Sequence, residues 1–255
     1  MHVLTDTWFL FNRHFRATLR MPAFIFMSVT QPILWLFLFG QLFGAMSGLS
    51  GFEGENYTQF LAPGLAIMTA LYGAAFSGVG LLVDMEQGVL DRFLATSVSR
   101  SAIILGRMGD IALQGTVQAG ILIAAAALVG AYPASFQGLL LVLLAAALFI
   151  MAFAGLSQAL ALVVLRQEAL MGVINFLVLP LVFISSMMMD PQLMPPWIRS
   201  LSRFNPVDWA VVVARGGFEG QGLSEVGLQL GLLAGFAAVS VSLAVTSLKG
   251  YSNSR

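Results

Sequence analysis

The stretch IALQGTVQAGILIAAAALVGAYPASFQGLLLVLLAAALFIMAFAGLSQALALVVL, residues 111–165, runs for 55 residues without one charged side chain. A helix crosses a hydrocarbon core of roughly 30 Å with about 20 residues, so this run is too long for one crossing and long enough for two. Its middle, Gly130-Ala131-Tyr132-Pro133-Ala134-Ser135, is a cluster of turn formers. The whole stretch reads as a helical hairpin. Runs such as Gly138 to Ile150 are solidly apolar rather than alternating, which speaks against a membrane β-barrel.

Working outward, the gaps between charges mark further spans, because a charge at a span's centre costs about 2.5–3.5 kcal/mol on the insertion scale. There are 32 uncharged residues between Arg20 and Glu53, 28 between Glu55 and Asp84, 21 between Glu168 and Asp190, and 23 between Glu225 and Lys249. Six transmembrane helices are expected, near 23–45, 60–83, 108–129, 138–164, 169–188 and 226–248. Composition agrees. Of 255 residues, 58% are hydrophobic and 9% charged, and the mean hydropathy is +0.89, so the charges are too few to clothe a soluble globule. The expected fold is all-α and integral to the membrane, one transmembrane domain over residues 1–255.

Arginine and lysine set the orientation. With the N-terminus in the cytoplasm, the inner segments hold Arg13, Arg16, Arg20, Arg92, Arg100, Arg107, Arg166, Lys249 and Arg255, and the outer ones hold Arg199, Arg203 and Arg215. Nine against three places both termini inside. The first apolar run is longer than a signal-peptide core and carries no clear cleavage site, so it is read as retained.

Three segments do not span. In residues 4–20, Leu4, Trp8, Phe11, Phe15 and Leu19 recur at helical spacing, with Arg13, Arg16 and Arg20 on another face. This suits a helix lying in the membrane interface, either a topology anchor or a collar that meets a partner. Residues 84–107 form the longest inner loop. There Leu90, Phe93 and Leu94 make a short apolar face, and Glu86, Asp91 and Arg92 a polar one. It is either a docking surface for a cytoplasmic partner or a solvated connector. Residues 190–225 join the last two spans. Pro195-Pro196 starts a short helix, Asn205-Pro206 breaks it, and a second short helix over Val207 to Arg215 ends at Gly216-Gly217. Both dip into the outer leaflet, with Trp197 and Trp209 as interfacial anchors.

Several chemistries are missing. No G-x-x-x-x-G-K-[ST] run cradles phosphate, and with one lysine and no basic patch no nucleic-acid partner is expected. There is no cysteine, and both histidines, His2 and His14, precede the first span, so no embedded Ser-His or metal site is expected. No expected span carries an ionisable group at its middle, which argues against a proton-coupled carrier. The neutral polar residues include Gln114 and Gln118 on one face of the third span and Asn175 in the fifth. They either bond across helices or line a path for a substrate with scattered polar groups. Met187 belongs to a methionine run that is either adaptable filler or a surface for varied apolar ligands. Gly227, Gly231 and Gly235 form a small-residue stripe for close helix packing, within or between chains.

Two clusters carry a family likeness. The first is Phe60-Leu61-Ala62-Pro63-Gly64, then Asp84 through Arg100, then Leu105-Gly106-Arg107. The second is Asn175-Phe176, Pro180-Leu181, Phe183-Ile184-Ser185-Ser186, Met194-Pro195-Pro196-Trp197-Ile198, and Asn205-Pro206 followed by Arg215. Over about residues 5–248 the chain resembles the permease subunits of type-2 ABC exporters, in particular the daunorubicin-resistance-like group. It departs at Ser97, where the family commonly has proline. The resemblance implies six spans, an N-terminal interface helix carrying Trp8, Phe11, Arg13, Phe15, Arg16 and Arg20, and a cytoplasmic coupling helix using Glu86, Gly88, Leu90, Asp91, Arg92, Phe93 and Leu94. It further implies a second permease subunit, an ATP-binding cassette ATPase subunit that holds ATP and Mg, and a bacterial inner-membrane location with both termini in the cytoplasm. This chain itself is then no enzyme and carries no cofactor, its lipid contacts aside.

The reading is thus the transmembrane subunit of an ATP-driven exporter of a hydrophobic or amphipathic drug, lipid or glycolipid. The substrate path is expected to involve Gln114, Gln118, Asn175 and Met187. The alternatives are a non-transporting membrane assembly module and an ion-coupled secondary carrier.

Overall fold

The computed structural model describes residues 2–44, 57–96 and 98–253. The expected outer charges Glu53 and Glu55, the departure at Ser97 and the inner cation Arg255 lie outside the described residues. Among the described residues the chain is helical throughout, with no strand. The helices are α1 (His2–Leu19), α2 (Pro22–Leu42), α3 (Tyr57–Ala75), α4 (Ser77–Glu86), α5 (Val89–Leu94), α6 (Arg100–Ala127), α7 (Phe136–Val164), α8 (Gln167–Phe183), α9 (Pro196–Ser202), α10 (Pro206–Glu219) and α11 (Leu223–Asn253), with a 3-10 turn at Pro191–Leu193.

Among the described residues, four helical units are long and apolar enough to cross a membrane: Tyr57–Glu86, Arg100–Ala127, Phe136–Val164 and Leu223–Ser252. Two shorter apolar helices, Phe26–Leu42 and Gln167–Phe183, accompany them. The core gathers on α7, which packs against α3, α4, α6, α10 and α11. Phe149, fully buried, meets Phe153 at 4.6 Å between ring centroids, and Phe153 meets Phe236 of α11 edge-on at 5.8 Å.

The hairpin α6–α7 turns at the expected Gly130–Ser135 cluster. Gly130 takes a left-handed φ of 85°, and Ser135 caps α7 by accepting the Gly138 N–H at 3.0 Å. The Tyr57–Glu86 unit is broken at Phe76, a break the apolar count does not reveal. Ser157 of α7 repairs it: its Oγ donates to the Ala75 carbonyl and accepts the Gly78 N–H at 3.0 Å. Backbone groups freed inside a membrane must be satisfied by neighbouring helices, and this hydroxyl serves both.

Three expectations need correction. Residues 100–107 are not loop: α6 begins at Arg100, where Ser99 caps it by accepting the Ala102 N–H at 3.2 Å. Arg107 therefore joins Asp110 in the first half of a span-length helix. The helix α10 does not stop at Gly216-Gly217 but runs on to Glu219 and ends at left-handed Gly220. The glycines serve packing there: a Cβ on Gly217 would strike the Gly138 carbonyl of α7, so the pair lets two backbones touch. The stripe Gly227, Gly231, Gly235 makes no close packing within this chain, since nothing lies within 4 Å of where a Cβ would stand. α11 instead meets α7 where Gly155 abuts Ser240 and Val241.

Candidate functional site

At one end of the bundle, α4 stops at Glu86, the chain turns through Gly88 with a left-handed φ of 66°, and α5 begins. Glycine takes that conformation without steric cost. The apolar face expected for residues 86–94 is real: Leu90 is buried, Phe93 and Leu94 pack against the core, and Glu86, Asp91 and Arg92 are exposed. Gln167 at the start of α8 donates to Glu86.

The N-terminal helix leans on the same corner. Leu10 is buried against Gly106 of α6, where a Cβ would approach the Leu10 Cβ to 2.7 Å. Asp6 accepts the Ser99 N–H at 3.3 Å, and the Arg13 guanidinium stands 4.8 Å from the centroid of the Phe93 ring. Trp8, Phe11 and Phe15 stack along α1 at centroid spacings of 5.5 and 5.9 Å. Arg16 and Arg20 are exposed, as are Leu4, Trp8 and Phe9. The helix is thus amphipathic with two attachments, one face on α6 and one cation on α5. Burial, then the neighbouring Arg107 and Arg13, push the His14 imidazole down to about 3, so it is neutral at physiological pH.

Beside this corner, α2, α3, α4 and α6 enclose a cavity of about 780 Å³. Met27, Trp35, Met68 and Phe76 give it apolar walls, and Gln31, Thr69, Tyr72, Gln114 and Gln118 scatter polar groups along them. Gln114 donates to Thr18 Oγ1 at 2.9 Å and to Asp110 Oδ2 at 2.7 Å, and Gln118 donates to Ser28 Oγ at 2.9 Å. These amides tie α6 to α1 and α2, and they also line the cavity. Arg107 lines the cavity too and is paired with Asp84.

Asn175 and Met187 are not brought to this cavity. Asn175 is exposed on α8 and donates to the Met171 carbonyl at 2.9 Å. Met187 is fully buried at the far end of the bundle, its backbone against Gly64 of α3. There α8 gives way to a buried irregular segment that α10 grips. Asp208 accepts the Ser186 N–H at 2.7 Å, Arg215 donates to the Ser186 carbonyl at 2.8 Å, and Asn205 donates to the Leu181 carbonyl at 2.7 Å. Arg215 also lies 3.9 Å from the centroid of the Phe60 ring.

Sequence reasoning gave no inward-facing role to Asp110 and Asp208, which are buried, or to Asp84, Arg107 and Arg215, which are partly buried. A signal existed for one pair. Asp208 and Arg215 stand seven residues apart, two helical turns, on a helix begun by Asn205-Pro206, and so share a face.

Comparison with known proteins follows the same regions. The family model described as ABC-2 type transporter matches residues 5–218. The ycf38 protein of Porphyra purpurea, named as a transport permease, is 30% identical over 203 residues, covering 79% of this chain and 70% of that one. The daunorubicin resistance ABC transporter permease protein DrrB1 of Streptomyces coeruleorubidus is 29% identical over 247 residues, 94% of this chain and 83% of its own. Nodulation protein J of Rhizobium leguminosarum bv. viciae is 24% identical over 230 residues, 89% and 87% of the two chains.

Proposed function

The chain belongs to the ABC-2 type transporter family, and from that premise we propose that it is the membrane-spanning subunit of an ATP-driven exporter. It crosses the bacterial inner membrane six times as one transmembrane domain, with both termini in the cytoplasm. It works beside a second permease subunit, and a separate ATP-binding cassette subunit holds ATP and Mg and hydrolyses the nucleotide. α1 is the interface helix, α5 is the coupling helix, and α9 and α10 lie in the outer leaflet.

One observation carries the reading: an exposed acid–base edge, with Glu86 at the end of α4 and Asp91 and Arg92 on α5, a short helix whose apolar side is anchored by buried Leu90. A rigidly backed, charged protrusion transmits a push, because its buried side cannot slip without losing its packing. Arg13 on Phe93 and Gln167 on Glu86 carry displacement of α5 into α1 and α8. The proposed substrate is hydrophobic or amphipathic. Apolar walls with amides and hydroxyls suit such a molecule better than an ion, and the relative DrrB1 bears a name of daunorubicin resistance.

The test is purification in mild detergent. The native chain is expected to bring down one ATP-binding protein per copy. The double reversal Asp91→Lys with Arg92→Glu is expected to insert and fold yet lose that protein on size exclusion. Retention of the ATPase at native stoichiometry by the reversed chain sinks the role given to α5.

A further inference from the structure

One ion pair joins the cavity to the coupling corner: Arg107 lines the cavity, and its partner Asp84 lies near the end of α4 that leads into α5. In chain order Gly80 is the last cavity-lining residue of α4, and Arg107 is the first of α6. They meet at the end of the cavity nearest α5. Gly80 and Asp84 stand one turn apart on α4 and so share a face. That face is shaped for a guanidinium. Arg107 pairs with Asp84 through Nη2, while its Nη1 fills the notch above Gly80, where a Cβ would come within 2.8 Å. The two side chains are largely buried, at 11% and 21% exposure.

The packing around them is lopsided. α4 rests on α7 and α8, and α6 on α1, α3 and α7, while α4 and α6 make little backbone contact with each other. The ion pair is thus the main bridge across that gap. Asp84 stands two residues before the end of α4, and only Gln87 and Gly88 separate α4 from α5. Along α4, a shift of α5 passes Asp84 before it reaches the cavity-lining Gly80.

We propose that the Asp84–Arg107 pair is a latch across the α5-proximal end of the cavity, closed while the pair is made and opened when movement of α5 draws α4 from α6. The opening step rests on the coupling role proposed for α5. The closure does not. Arg107 is a positioning residue here: it closes the wall and need not touch a transported molecule.

Because the native chain has no cysteine, Ile111→Cys is a clean reporter. Ile111 lines the cavity one turn beyond Arg107. Its rate of labelling by a membrane-impermeant methanethiosulfonate reagent, applied from the α5 side of membrane vesicles, reads the state of the latch. Against the Ile111→Cys chain, adding Arg107→Gln is expected to speed labelling about tenfold, the effect of shifting a two-state opening by that factor. Arg107→Lys, which keeps the charge, is expected to stay slow, and the swap Asp84→Arg with Arg107→Asp to return most of the protection. A general loosening of the fold would leave the swap as fast as Arg107→Gln. Unchanged labelling in Arg107→Gln, or a swap as fast as it, overturns the latch. In vesicles that retain the ATPase, ATP is expected to speed labelling of the reporter with the native pair. If ATP has no effect while Arg107→Gln is fast, the latch stands and the coupling role of α5 fails.

Discussion

Ser186 shows what single residues must do where a helix ends inside an apolar bundle. Its N–H and carbonyl have no helical partners, and irregular backbone at membrane depth survives only when protein satisfies it. Asp208 takes the N–H and Arg215 supplies the carbonyl's donor, while Phe60 covers the guanidinium. Removing one member strands the rest. Arg215→Met leaves the Ser186 carbonyl without its donor and Asp208 without its nearest cation. Leaving a buried acceptor without its donor costs about 1–3 kcal/mol. The exposed Arg203 is the control, because substitution at a surface site away from such contacts is usually worth within about 0.5 kcal/mol. Thermal unfolding in detergent is expected to show a large loss for Arg215→Met and almost none for Arg203→Met. Equal loss in both would mean that the clamp on Ser186 contributes nothing.

Among the elements, α1 is the one whose attachment depends on protonation. It is held to α6 by Leu10 against Gly106 and by Thr18 donating to Asp110, and His14 is pressed between burial and two arginines. Docked, that imidazole titrates at about 3, and free it titrates near 6.5. The undocked form therefore takes up the proton first. Above pH 6.5 the two forms bind it equally little and docking is strongest, and between 6.5 and 3 docking weakens progressively as pH falls. The slope is at most about 1.4 kcal/mol per pH unit. Melting native protein against His14→Gln across that window isolates the effect, since the glutamine variant keeps a polar side chain and cannot titrate there. The stability difference between the two is expected to shift against the native chain as the solution is acidified. A difference independent of pH would show that His14 already titrates normally.

For the molecule as a whole, charge gaps located the four span-length units and the two shorter apolar helices, because an uncharged run of span length has few other uses. Turn chemistry then placed the Gly130–Ser135 corner and, to within a residue, the starts of α9 and α10. What stayed hidden depends on distant partners. The break at Phe76 is possible because Ser157 waits on another helix, and Arg107 can sit inside α6 because Asp84 and the Gly80 notch receive it. Local pattern records neither. The cavity likewise is a property of α2, α3, α4 and α6 together, so Gln114 and Gln118 could be placed on one face but not at a wall. The crossing number is a question at this scale. α2 starts after α1, whose Arg13 touches α5, and ends at Phe43, whose ring stands 5.8 Å from that of Tyr57 at the opposite end of the α3–α4 unit. α8 starts at Gln167 against Glu86, and the chain beyond it reaches Tyr57, whose hydroxyl donates to the Met188 carbonyl at 3.2 Å. The contacts flanking each short helix thus reach towards both ends of a unit that is itself long enough to span. If both cross, α5 and the α9–α10 segment face opposite sides; if neither does, α5 and α9 share a side and α1 stands across the membrane from α5. Single cysteines at Arg92 and Arg203 in the otherwise cysteine-free chain test the crossing by α8 with an impermeant thiol reagent. Arg92→Cys is expected to react only from the cytoplasmic side and Arg203→Cys only from outside, and reaction of both from one side would remove the crossing by α8.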